Sequence, residues 1–172
     1  MFKTNDYFIY SSRGVCRIDD ICDRSINHTK RTYYVFHPVT DKDAKIMIPI
    51  DNQKIFMRAI ISPEEAEEII DYFSSPDVIP WNDNKKLRDK EFDLMMKQSN
   101  ASELSKILKV LLLRKLNADV INKKFADTDN RLLLSLQHLL FNELAIVLKA
   151  ERETIEEQVL ANLSGMQLAV HC

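Results

Sequence analysis

The chain has 172 residues, 45% hydrophobic and 29% charged, the composition of an ordinary globular protein rather than a disordered or fibrous one. Only two glycines occur, Gly14 and Gly165, which excludes a glycine-rich phosphate loop. A net charge of −2 excludes a protein that binds nucleic acid through its overall charge, so any such contact needs a local basic patch or a partner that holds the chain in place.

The first residues, Met1-Phe-Lys-Thr-Asn5, lead into strand-like sequence with no signal-peptide hydrophobic region. The apolar run Val110-Leu-Leu-Leu113 is interrupted at once by Arg114 and Lys115, so no membrane span is expected and the location should be cytoplasmic. Cys16, Cys22 and Cys172 lack CxxC spacing, and His28, His37, His138 and His171 are scattered. Neither a disulfide framework, a metal site nor a cofactor is expected from such a pattern.

Up to about residue 61 the sequence reads as strands. Tyr7–Tyr10, Gly14–Ile21, Thr32–Phe36, Lys45–Pro49 and Ile55–Ile61 are short runs rich in β-branched and aromatic residues. Turn-like stretches separate them at Ser11–Gly14, Asn27–Lys30, Thr40–Asp43 and Asp51–Gln53. Five such strands predict a small antiparallel β-barrel of the Tudor/SH3 type. Pro49 marks the end of the fourth strand as an edge or bulge.

The period then becomes helical. Ser62-Pro-Glu-Glu65 is a helix start, with Ser62 as cap, Pro63 in the first turn and two acids complementing the dipole. Ala66, Ile69, Ile70 and Phe73 form its apolar stripe. The connector Ser74–Pro80 carries two prolines and is the expected domain boundary, where limited proteolysis should cut first. Four further helices are predicted, over about 82–97, about 101–117, after Asp127-Thr-Asp129, and from about Glu153 to Leu163, stopping near Gly165. The expected fold is thus two-domain β + α. Residues 1–61 form the β-domain, 62–80 a helix and connector, and 81–172 a compact C-terminal helical bundle.

Catalysis has little support. Asp19, Asp20 and Asp23 alternate in a strand or sit near a turn, and Cys16 between Val15 and Arg17 reads as a small core residue. No base, nucleophile and orienting group recur together, so the protein is not expected to be an enzyme.

Trp81 is the single tryptophan and precedes a basic stretch with Lys85, Lys86 and Arg88. Two readings stand: a hydrophobic plug at the domain junction, or an exposed wedge whose basic neighbours hold phosphates. A second basic concentration comprises Lys106, Lys109, Arg114, Lys115, Lys123 and Lys124, opposed nearby only by Asp119. Alone it reads as a solvated helix face; with Trp81 it points to one face able to follow a DNA backbone.

The layout resembles the CarD family, whose polymerase-interacting domain also occurs in transcription-repair coupling factors. The residues that carry the resemblance are Phe8-Ile-Tyr-Ser-Ser-Arg-Gly-Val15, Asp23-Arg-Ser-Ile26, Tyr33-Tyr-Val35 and Ile46-Met-Ile-Pro-Ile-Asp-Asn52. In the helical half they are Trp81 with Arg88 and Phe92, Asp129-Asn-Arg-Leu-Leu133 and Asn142-Glu-Leu-Ala145. The resemblance implies a monomeric transcription regulator whose β-domain pairs with the lobe of the RNA polymerase β subunit. Its helical domain would then contact promoter DNA at the upstream edge of the bubble, near the −10 element, and stabilise the open complex. It places Arg24 and Ile26 on the polymerase-contacting strand, with Met47 standing where some members carry a contacting arginine. It places Trp81 on the wedge and Lys86 at a basic DNA-contacting position, while Lys85 and Arg88 follow from local charge. Arg114, Lys115, Lys123, Lys124 and Arg131 complete the expected DNA-facing set. Asp83, Asn84 and Asn130 stand where some members are basic, and Ser11-Ser12 replaces a proline-containing turn, so intrinsic DNA affinity is expected to be weak. The alternative from another class is a Tudor-like adaptor that bridges proteins on the polymerase without touching DNA.

Overall fold

The computed structural model describes residues 1–10, 13–26, 29–52, 56–98 and 100–170, with backbone alone for residue 26 and for residues 96–98 and 166–170. The predicted turn residues Ser11, Ser12, Asn27, His28 and Gln53, together with Lys54, Ile55, His171 and Cys172, lie outside the described residues. The chain divides into two compact units, Met1–Ile60 and Ile61–Cys172. The first holds an antiparallel sheet and the second five helices.

The sheet contains β1 (Tyr7–Tyr10), β2 (Gly14–Ile26), β3 (Thr29–Pro38), β4 (Ile46–Pro49) and β5 (Met57–Ala59). Their order is β4-β3-β2-β1-β5. Among the described residues β4 and β5 are its two edges and do not pair, so the predicted barrel does not close. β4 ends at Pro49, which has no N–H to donate, and β5 is three residues long; neither has the backbone to complete a ring. Gly14 enters β2 with φ of 77°, a left-handed conformation that a side chain would strain.

A bulge explains why the inward positions of β2 change phase. Ile18 pairs with Phe36 but Asp20 pairs with Val35, leaving Asp19 as the extra residue. Before the bulge Cys16 and Ile18 face the core; after it Ile21 does, opposite Tyr34. Phe8, Phe36, Tyr34 and Ile48 fill that core, with the rings of Phe8 and Phe36 edge to face at 5.0 Å between centroids.

The helices are α1 (Pro63–Tyr72), α2 (Lys85–Gln98), α3 (Ala101–Val120), α4 (Asp127–Leu148) and α5 (Arg152–Val170). α1 opens with a capping box, Ser62 accepting from the Glu65 N–H while the Glu65 carboxylate accepts from the Ser62 N–H. Asn100 caps α3 by accepting from the Ser102 and Glu103 amides. Lys149, left-handed at φ of 52°, ends α4. α5 does not stop near Gly165 as predicted but runs on to Val170: the glycine keeps helical backbone, and no left-handed residue closes the turn there. α4 is long and apolar enough to cross a membrane by length and composition. Its Leu133, Leu136, Leu140, Phe141 and Leu144 are instead buried in the core of the helical unit, beside Leu108 and Leu111 of α3 and Ile155 and Val159 of α5.

α1 and the connector after it belong to this helical unit. The last α1 carbonyls, which accept only the tight turn bonds of the C-terminus, are also bound from two sides. Asn162 of α5 donates to the Ile70 carbonyl at 2.9 Å, and Lys109 of α3 donates to the Tyr72 carbonyl at 2.8 Å.

Candidate functional site

Trp81 lies in the segment between α1 and α2, where it is half-buried against the helical core. Its ring is sandwiched between two guanidiniums, with Arg88 Cζ 4.1 Å and Arg114 Cζ 3.9 Å from the ring centroid, and the Phe92 ring meets it edge-on at 6.2 Å. Each stacked arginine contributes about 0.5–2 kcal/mol, the more desolvated one more.

The two arginines differ in kind. Arg88 is only 6% exposed. Its Nη1 donates to the Asn82 carbonyl at 2.9 Å and its Nη2 to Asp129 at 3.3 Å, and its Nε has no partner. Asp129 is itself buried in the first turn of α4, where the helix dipole favours a carboxylate. Arg88 was expected from local charge to hold DNA phosphates; its charge is instead spent on Asp129, and it supports Trp81 from within. Arg114 is exposed and covers the other side of the ring.

Around this pair the structure arranges the remaining cations unevenly. Arg114, Lys123 and Lys124 line one cleft of about 240 Å³ with Asn117 and Asp129. Lys124 also pairs with Asp127 at 3.2 Å, a fully solvated contact of little energetic weight. Lys85 and Lys86 are exposed in the first turn of α2, Lys85 in an ion pair with Asp89. Lys115 is half-buried and Arg131 exposed. Of the residues that replace basic ones, Asp83 is exposed, while Asn84 accepts from the Leu87 N–H at the start of α2.

Lys109 was grouped in the sequence with the surface cations, yet it is 0% exposed. Its Nζ donates to the carbonyls of Tyr72 (2.8 Å), Ser75 (2.7 Å) and Asp77 (2.9 Å), and lies 4.3 Å from the centroid of the Tyr72 ring. Burial pushes its ammonium below the ordinary lysine range, and the Asp77 charge opposes that shift. Asp77 lies four positions before Trp81, so Lys109 anchors the segment that carries the tryptophan. The sequence did hold a signal: Lys109 falls four residues after Ser105 and three before Leu112, inside the apolar stripe of α3.

In the sheet unit, β1 covers β2 only from Gly14 to Arg17, and Asn5 and Asp6 extend that cover to Ile18. From Asp19 to Ile26 the outer edge of β2 has no neighbour among the described residues, so the β2–β3 hairpin stands out as an open edge. Arg24 is exposed there and pairs directly with Arg31, a like-charge cross-strand pair. Met47, 37% exposed, pairs with Val35, which puts it on the same sheet face as Arg24 and about 13 Å along β3 from Arg31. The Ile26 side chain lies outside the described residues. On the other face Asp23 accepts from Thr32 at 2.8 Å and pairs with Lys30 at 3.1 Å, and these contacts hold its carboxyl below the usual range.

Cys16 is fully buried, and burial pushes its thiol up to about 12, with Arg13 opposing. Among the described residues no three His, Cys, Asp or Glu side chains gather as metal ligands.

Residues 2–61 match the family model of the CarD-like/TRCF RID domain, a family of non-catalytic RNA polymerase-interacting domains. No curated protein matches the chain. The matched segment covers the whole sheet unit and ends where the helical unit starts. The N-terminal sheet unit is therefore similar to the CarD-like/TRCF RID domain, and that likeness covers about a third of the chain.

Proposed function

We propose that this protein is a transcription regulator that docks on the RNA polymerase β subunit and stabilises the promoter open complex. Docking uses the open edge of β2, with Arg24, Ile26 and Met47 at the contact. The observation that carries the reading is that edge: from Asp19 to Ile26 a strand of a polymerase-interacting domain has no neighbouring strand among the described residues, with the Ile21 N–H taken by Asp20 at 2.8 Å, and a partner strand can complete it. The Arg24–Arg31 pair adds a charge that a carboxylate on the partner would relieve.

Once held there, the helical unit engages DNA near the −10 element with Trp81, Lys85, Lys86 and Arg114, flanked by Lys115, Lys123, Lys124 and Arg131. Arg88 acts beneath the surface, by holding Trp81. The net charge of −2 makes docking the main source of effective concentration at the promoter. The protein acts as a monomer in the bacterial cytoplasm. One observation favours the adaptor reading instead: both faces of Trp81 are occupied by guanidiniums, so Arg114 must swing aside before the ring can meet a base step. Crosslinking to promoter DNA upstream of the −10 element separates the two, because only the DNA-engaging protein gives that product.

Arg24→Glu tests the docking edge. Arg24 is exposed, so the fold should survive, and affinity for core polymerase should fall at least about tenfold. Unchanged affinity would remove the β2 edge from the interface.

A further inference from the structure

A groove of about 280 Å³ lies between α1 and the first turns of α3. Its apolar surface comes from Ile61, Ile69 and Tyr72, and Glu68, Ser105 and Lys106 are among its polar walls. The polar groups on the α3 side are already satisfied: the Ser105 hydroxyl donates to the Ser102 carbonyl at 2.7 Å, and Lys106 donates to Glu103 at 2.6 Å. The volume sits just below the range of about 300–1,000 Å³ for small-molecule pockets, enough for one large apolar side chain.

Of the α1 acids Glu65 and Glu68 line the groove, and Glu64 and Asp71 lie one helical turn either side of Glu68, a charge that folding does not need. α1 carries Glu64, Glu65, Glu67, Glu68 and Asp71 and no lysine or arginine. Glu65 is spent in the capping box, but the side chains of Glu64, Glu67, Glu68 and Asp71 make no hydrogen bond or ion pair among the described residues. Glu64 with Glu68, and Glu67 with Asp71, are like charges four residues apart, an arrangement that weakens a helix. Asp71 also sits in the last turn, where the helix dipole disfavours an anion. Local choices that oppose the fold are expected where a surface serves a partner.

We propose that this groove docks a basic polypeptide segment of a protein partner, an apolar side chain of that segment filling the space over Ile69 and Tyr72 while its lysines or arginines pair with Glu68 and, beside it, Glu64 and Asp71. The same field repels nucleic acid, so the site is separate from the Trp81 surface. It does not depend on the polymerase or DNA contacts proposed above.

The test titrates the ¹⁵N-labelled full chain with an amphipathic Lys/Leu helical peptide, and with a control carrying Glu for every Lys. Saturable amide shifts confined to residues 61–72 and 100–106, produced by the Lys/Leu peptide alone, are expected. Glu68→Lys with Asp71→Lys, both at exposed positions, should weaken that binding about tenfold or more. Ser102→Trp, which fills the groove from an exposed position, should abolish it in a protein whose circular dichroism is unchanged. Shifts centred elsewhere, equal binding of the Glu peptide, or undiminished binding by Ser102→Trp would overturn the proposal. So would concentration-dependent self-association that the same substitutions remove, since the occupant would then be a second copy of this chain.

Discussion

Replacing Lys109 with Met keeps most of the aliphatic stem and removes the ammonium. The carbonyls of Ser75 and Asp77 then lose their donor, that of Tyr72 keeps only the Ser75 N–H at 3.1 Å, and the contact with the Tyr72 ring goes as well. An acceptor left buried without a partner costs about 1–3 kcal/mol, so the gross loss over two is about 2–6 kcal/mol. Two effects reduce it. The folded state no longer desolvates a charge, and water reaches the Asp77 and Ser75 carbonyls, whose residues are exposed and half-buried respectively. A net destabilisation of about 1–3 kcal/mol remains, a fall of roughly 5 °C in Tm. Because Trp81 is the only tryptophan, its fluorescence reports the same segment independently. Its emission should shift to the red in Lys109→Met, below the unfolding transition, as residues 74–81 loosen and water reaches the ring. Lys109→Arg, which keeps a cation and its donors, should lose less. Wild-type stability and wild-type emission in Lys109→Met would refute the anchoring role.

Two further outcomes follow from buried groups. Arg88→Met should cost about 3–5 kcal/mol, measured by urea unfolding, because Asp129 is left charged and buried. The double variant with Asp129→Leu should recover much of that, and strict additivity of the two single variants would show that the pair is not coupled. The Cys16 thiol is pushed up to about 12, so at pH 8 about one molecule in ten thousand carries the thiolate in the folded state. In a Cys172→Ser background, alkylation of the native protein should therefore label Cys22 and spare Cys16 until denaturant is added; equal labelling rates would contradict the burial.

The elements were legible where one physical signal dominated. Alternating aromatic and β-branched residues marked β1, β3 and β4, and Ser62 to Glu65 marked the start of α1, because caps and period act locally. The open sheet was not legible, since closure depends on whether distant edges pair, and β4 and β5 prove too short. The extent of β2 past Ile21 was hidden by the bulge at Asp19, which breaks the alternation a strand reading relies on. Charge composition singled out Arg114, Lys123 and Lys124, which the structure puts in one cleft, and Lys85 and Lys86, which share a turn. It misassigned Arg88 and Lys109, because a one-dimensional charge count cannot tell a cation facing water from one facing Asp129 or three carbonyls. For Lys109 the helical period carried the correction; for Arg88, 41 residues from Asp129, nothing local did.

The most direct measurement of the proposed function is the lifetime of promoter open complexes formed by the cognate polymerase, with wild-type protein, with Trp81→Ala and without either. A longer lifetime with wild type, lost with Trp81→Ala while polymerase binding is retained, is the expected result. An unchanged lifetime at saturating, polymerase-bound protein would contradict open-complex stabilisation and leave the sheet as a docking module for a protein-bridging adaptor.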